Sequence, residues 1–250
     1  MSLTQKGRSK LSFGIKIIVE GDYACFTDPA SKVERVSYKV PTPGAVEGIL
    51  KCVYWKPAIR YVVDELVVFN PITYVNVRRN ELKEKVSYQA VKQQMNGRGD
   101  PIMYASEQRT QRSAMVLRNV KYGISAHFEL TGLKSDHADE GEEKHYNILL
   151  RRLRNGQCFR QPVLGNREFS ARKIELVDSF DYSQVSDELM GDEDLGIMLY
   201  KMNFRDGGKP LNGNWDKPVF SDAADAVYYH PHIVNGVIDV KKYREEGLKC

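Results

Sequence analysis

Cysteine is scarce in this chain, with four in 250 residues, at Cys25, Cys52, Cys158 and Cys250. No two of them form a C-x-x-C pair, and no histidine spacing completes a zinc set. A disulfide framework is not expected at this size; the thiols read as reduced, three packed and one at the chain end. No run of about 18 apolar residues occurs, so no transmembrane helix is expected. There is no Walker A motif and no G-x-G-x-x-G, which removes the common nucleotide-binding loops. The acidic cluster Asp136, Asp139, Glu140, Glu142 and Glu143 lacks the spacing of a calcium loop. The first residues are polar and basic with no apolar core behind them. Residues 1–12 therefore read as a disordered or vector-derived tail rather than a signal peptide, and a cytoplasmic location is expected.

What is present is an ordinary globular composition, 42% apolar and 28% charged, with a net charge of +4. The distribution of that charge says more than its sum. Arg98, Arg109, Arg112 and Arg118 lie in one polar stretch. Arg151, Arg152, Arg154, Arg160, Arg167, Arg172 and Lys173 lie in another. A guanidinium fork pairs two phosphate oxygens at once, so clustered arginine suits a nucleic-acid backbone. Arg98, Arg109, Arg112, Arg118, Arg151 and Arg167 are the candidate RNA contacts; a merely solvated face is the alternative.

Phe13, Ile15, Ile17 and Val19 alternate with Gly14, Lys16, Ile18 and Glu20, a period of two that predicts a strand with one buried face. Thr42 offers a capping oxygen and Pro43 fits the first helical turn. Val46, Ile49, Leu50 and Val53 then follow helical spacing up to Pro57. Tyr61 to Phe69 predicts a second strand. From about 71 to 118 the pattern weakens, which predicts an inserted hairpin with Gln93 to Asp100 as its loop tip. Tyr122, Ile124, Ala126, Phe128 and Leu130 predict a third strand, and Ser135 to Gly141 an acidic loop. Tyr146, Leu149, Leu150 and Leu153 predict a second helix closed by Gly156, and Ile174 to Val177 a fourth strand. The order is βαββαβ, an α+β class of ferredoxin-like (RRM-like) type, over residues 13–178. Residues 179–250, with strands expected at Ile197 to Phe204 and Val227 to Val237, read as a small β-rich C-terminal region.

The stretch Glu143-Lys144-His145-Tyr146 opens the second helix. The free amides and positive dipole end there favour a phosphate. Lys144 could neutralise charge on a pentacovalent phosphorus, and the His145 imidazole titrates near neutrality. Neither is needed by the apolar stripe, so both are expected to be available; a solvated Lys–His pair is the plainer alternative. Tyr54-Trp55-Lys56-Pro57 ends the first helix and either closes the core or places a phenol beside a ribose. In a ferredoxin-like fold both helices pack on one face, and Tyr54 could meet Lys144 and His145. His127 reads as a surface histidine that could face RNA. His230-Pro231-His232 lacks carboxylate or cysteine partners at ligand spacing, so no metal site is expected.

Several short motifs in order resemble one family. They are Gly21-Asp22-Tyr23-Ala24, Phe26-Thr27-Asp28-Pro29, Ser37-Tyr38, Val40-Pro41-Thr42, Gly48-Ile49 and Tyr54-Trp55-Lys56-Pro57. Asp64-Glu65-Leu66, Ala126-His127-Phe128-Glu129, Lys144-His145-Tyr146 and Leu164-Gly165-Asn166-Arg167-Glu168 continue the series. The chain resembles the type I-C (Dvulg) branch of the fifth Cas protein family, within the RAMP superfamily, from about residue 15 to residue 170. The resemblance implies a CRISPR-associated endoribonuclease that cleaves precursor RNA within the repeat, near the base of its hairpin. It implies retention of the product beside the other subunits of the type I-C surveillance complex. Tyr54, Lys144 and His145 fall on the motif positions that carry the family's cleavage chemistry, while the excursion from Asn76 to Ser113 is longer than the branch would suggest.

Under that resemblance the ribose 2′-oxygen attacks the adjacent phosphorus without cofactor or metal, leaving a 2′,3′-cyclic phosphate. Tyr54 or His145 is the base or orients the hydroxyl, and Lys144 stabilises the phosphorane. Two other readings stand beside it: a non-catalytic subunit clamping the 5′ handle of the guide, and a general nucleic-acid binder that also holds duplex DNA.

Overall fold

The computed structural model describes residues 13–31, 33–99, 102–133 and 141–246. Its elements in chain order are β1 (Gly14–Ala24), β2 (Arg35–Val36), α1 (Pro43–Val53), β3 (Ile59–Val68), β4 (Thr73–Leu82), α2 (Tyr88–Met95), β5 (Arg109–Leu130) and α3 (Glu142–Arg154). Then follow β6 (Lys173–Val177), β7 (Asp192–Asp194), β8 (Met198–Phe204), β9 (Ala224–Tyr229), β10 (His232–Val234), β11 (Val237–Asp239) and α4 (Val240–Glu245). The expected N-terminal tail, the acidic loop with Asp136, Asp139 and Glu140, and Cys250 lie outside the described residues.

β1 buries Ile15, Ile17 and Val19 on one face, as its alternation requires. α1 starts where Thr42 accepts a hydrogen bond from the Ala45 amide at 3.2 Å with Pro43 at the first turn. It buries Val46, Ile49, Leu50 and Val53 against the sheet. Such a cap contributes about 1 kcal/mol. The sheet runs β6-β1-β5-β3-β11-β10-β7, with β2 and β4 also paired to β5. The β6–β1, β1–β5 and β5–β3 pairs are antiparallel, while β2 runs parallel to β5. α1 and α3 cover this part of the sheet and touch each other, so the end of one lies beside the start of the other.

β5 is far longer than its apolar alternation indicates. Its C-terminal half pairs with β1 and β3, while Arg109 to Arg118 pair with β4. The inserted hairpin is thus an arm that continues the sheet, and its apolar pattern is weak because much of it is exposed. At its far end the expected loop tip is partly helical: Ser87 caps α2 through the Ala90 amide.

The C-terminal residues add strands to the same sheet. β11 pairs with β3, β10 with β11 and β7 with β10. The single strand expected over Val227 to Val237 is broken into three. Pro231 separates β9 from β10, and Asn235 (φ 49°) with Gly236 (φ 77°) forms a two-residue hairpin between Val234 and Val237. β8 and β9 form a separate ribbon laid over α1. Gly44 permits that approach, since a Cβ there would sit 3.0 Å from Lys201. Cys25 and Cys52 are buried, but Cys158 is exposed, because it lies in the loop after α3 rather than on a packed face.

Candidate active site

The end of α1 and the first turn of α3 bring Tyr54 and His145 together. The Tyr54 hydroxyl and His145 Nδ1 are 2.8 Å apart, across 91 positions of sequence. Both are nearly inaccessible, Tyr54 at 3% and His145 at 1% exposure. This differs from the expectation that His145 would stand clear of the apolar stripe. His145, Leu149 and Leu153 are the buried residues of α3 at spacing of four, so the imidazole belongs to the inward face. Tyr146 is the more peripheral of the pair, packing on Phe13 and donating to the Gly14 carbonyl at 3.3 Å.

The phenol is held from several sides. Tyr61 donates to the Tyr54 carbonyl at 2.7 Å. Burial first, then the nearby Tyr54 phenol, push the Tyr61 hydroxyl upward from its usual range, so it stays a donor. The Arg152 guanidinium lies 5.2 Å from the Tyr54 ring centroid and donates to the Val53 carbonyl at 2.7 Å. Phe128 meets the His145 ring edge-on at 6.4 Å. A rigid, largely dry phenol–imidazole pair results, able to exchange a proton along one hydrogen bond.

Lys144, in the same turn, is exposed. It lines a surface depression with Asn147, Ile148 and Arg151. Gly141 provides no side-chain cap, and Glu142 and Glu143 occupy the first turn. Those carboxylates satisfy the helix dipole themselves, which weakens the expected phosphate preference of this terminus. A second groove, of about 740 Å³, opens beside Tyr54 and is bordered by Trp55, Arg152 and Phe159. His145 does not line it.

The six candidate RNA-contacting arginines do not form one patch. Arg98 follows α2 near the arm's tip, and Arg109 and Arg118 lie nine residues apart on one strand, about 30 Å at strand rise. Alternation along β5 puts Arg112 and Arg118 on one face and Arg109 on the other. Arg112 lies 3.7 Å from Glu81, whereas Arg98, Arg109, Arg118, Arg151 and Arg167 are exposed. His127 is partly buried and its Nδ1 lies 2.6 Å from Asp64, which also accepts from Arg244 at 3.2 Å.

Carboxylate partners for His230 and His232 exist after all, supplied by a distant strand. Because β7 pairs with β10, Asp194 stands 2.6 Å from His230 Nε2, and Asp192 2.7 Å from His232 Nδ1. Asp194, His230 and His232 bring ligand-type atoms within 4.8 Å of one another and are the one such group of three among the described residues. The Gly196 amide, then His230, hold the Asp194 carboxyl below its ordinary range.

Residues 14–241 match the family described as CRISPR-associated protein (Cas_Cas5). Among curated proteins, the chain is 40% identical over 240 residues to the CRISPR pre-crRNA endoribonuclease Cas5d of Mannheimia succiniciproducens, covering 94% of this chain and 98% of that protein. It is 33% identical over 241 residues to the protein of the same name from Thermus thermophilus, covering 92% and 93%. A crystal structure of a CRISPR-associated protein superposes with a TM-score of 0.62 at 25% identity, covering 98% of this chain and all of that one. The chain belongs to the CRISPR-associated Cas5 family, and both curated relatives carry the name of its Cas5d type. No helix among the described residues is long and apolar enough to cross a membrane.

Proposed function

We propose that this protein is an endoribonuclease that cleaves CRISPR precursor RNA within the repeat, near the base of its hairpin, and remains with the product in a type I-C surveillance complex. We read β1-α1-β3 and β5-α3-β6 as the two halves of a ferredoxin-like domain. The observation that carries the proposal is the 2.8 Å contact between Tyr54 and His145, in a chain that aligns over nearly its whole length with relatives named for this activity.

We read Tyr54, which borders the groove, as the group that takes the proton of a ribose 2′-hydroxyl while passing its own to His145 Nδ1. The 2′-oxygen then bonds to phosphorus, the bond from phosphorus to the 5′-oxygen breaks, and the proton returns to that leaving oxygen. Lys144 neutralises charge on the phosphorane. The nucleophile belongs to the substrate, so the reaction needs no activated water. The products are a 2′,3′-cyclic phosphate and a 5′-hydroxyl.

Incubation with the host's repeat RNA in EDTA should give one discrete cut, and a 2′-deoxy nucleotide at the scissile position should abolish it. Normal cleavage of the deoxy substrate would refute the mechanism. The burial of His145 supports a second reading, in which the pair is a structural hydrogen bond in a subunit that only clamps the guide. Tight binding with no cut in any sample would favour it.

A further inference from the structure

The groove beside Tyr54 carries two exposed aromatic rings. Phe159 is 84% exposed and Trp55 48% exposed. An aromatic ring left largely in water forfeits roughly 2 kcal/mol of burial, so two in one groove ask for an occupant. Lys51, Lys56, Arg152 and Arg160 also line it, and none of the described lining residues is a carboxylate.

The backbone that carries Phe159 is held in place. The amides of Phe159 and Arg160 both donate to the Cys52 carbonyl, at 2.8 and 3.2 Å, fastening the loop after α3 to the end of α1. Trp55 directly follows Tyr54, and Arg152 is oriented by the Val53 carbonyl. The backbone carrying Phe159 and the Arg152 guanidinium are therefore positioned before anything binds, which lowers the entropy lost on binding.

We propose that this groove is a subsite for unpaired nucleotides flanking the scissile phosphate, with bases stacked on Trp55 and Phe159 and phosphates met by the surrounding cations. Stacked aromatic faces with cations between them fit single-stranded RNA. A paired A-form stem offers no free base face to an aromatic side chain, so the subsite holds the strand beyond the hairpin rather than the hairpin itself. The inference rests on the cleavage reading, since it takes Tyr54 as the point where the RNA is cut. It also assigns Trp55 and Phe159 as positioning residues.

The test uses the full chain, repeat RNA in EDTA, and the variants Trp55→Ala and Phe159→Ala. Each should raise KM and the dissociation constant about 5- to 100-fold, the size of one lost base stack, while kcat at saturating RNA is kept. The same measurements with abasic nucleotides beside the scissile phosphate separate stacking from a general structural effect. Wild type should lose about as much as the variants do, and the variants should lose little more. Variants that bind and cut the repeat like wild type, or keep their full penalty on the abasic RNA, would overturn the subsite. Absence of any cut by wild type would instead overturn the cleavage reading, and the subsite would then stand or fall on the dissociation constants alone.

Discussion

Replacing Tyr54 by Phe removes one oxygen from a site that is otherwise unchanged. The ring keeps its place among the buried residues, the Tyr61 hydroxyl still meets the Tyr54 carbonyl, and Arg152 still lies over the ring face. What goes is the 2.8 Å contact with His145 Nδ1. Two magnitudes follow. His145 is 1% exposed and loses a partner that water does not readily replace, which costs about 1–3 kcal/mol of stability. If the pair moves the proton of the 2′-hydroxyl, cleavage falls by about 10²–10⁴-fold, equivalent to about 2.7–5.4 kcal/mol of transition-state stabilisation. The assay is single-turnover cleavage at saturating RNA, beside a urea unfolding curve. The double variant Tyr54→Phe/His145→Ala should cut about as slowly as the slower of the two single variants, because groups acting as one unit are not additive. A stability loss with cleavage within tenfold of wild type would refute the catalytic assignment and leave the pair as a core hydrogen bond.

Three further outcomes are expected. Lys144→Ala should lower kcat about 10²–10³-fold with RNA affinity retained and little change in unfolding midpoint, since the side chain is exposed; the readouts are cleavage rate and denaturation. Gly165→Ala should cost about 3 kcal/mol or more in urea unfolding, because Gly165 has φ 85° and a Cβ there would fall 1.9 Å from the Cys25 carbonyl oxygen. The hydrogen bond from Arg60, opposed by partial burial, holds Glu129 below its ordinary range. Its folded pKa is thus below the unfolded value of about 4.3, so the pair stabilises above that pH and the gain is lost as pH falls through the folded value. With Glu129 42% exposed the gain is a few tenths of a kcal/mol, and Arg60→Ala should remove that part of the acid dependence of unfolding.

The amino-acid order alone settled those features that depend on nearest neighbours in an element. Period two in β1 and the middle of β5, helical spacing in α1 and α3, and the Thr42-Pro43 start are local properties, and each element formed where its pattern lies. The Asn235-Gly236 dipeptide is a turn signal that the reading of one strand over Val227 to Val237 passed over. Features that rest on pairing between distant segments were legible only through an assumed topology, as for the meeting of Tyr54 with His145, or not at all. The first half of β5 forms because β4 supplies its ladder, with few apolar residues to announce it. The face of α3 that holds His145 depends on where the sheet and Tyr54 stand, and a polar residue at an inward position leaves no mark in a hydrophobic pattern. Arg109, Arg112 and Arg118, close in sequence, are spread along an extended strand, because a strand separates neighbours by about 3.3 Å each. The same pairing that hides such relations also creates them. Register between β7 and β10 sets two carboxylates against two histidines, and packing of α1 against α3 sets a phenol against an imidazole. Local sequence determined the elements; only the tertiary arrangement decided which side chains could exchange a proton, because that contact spans 91 positions of chain.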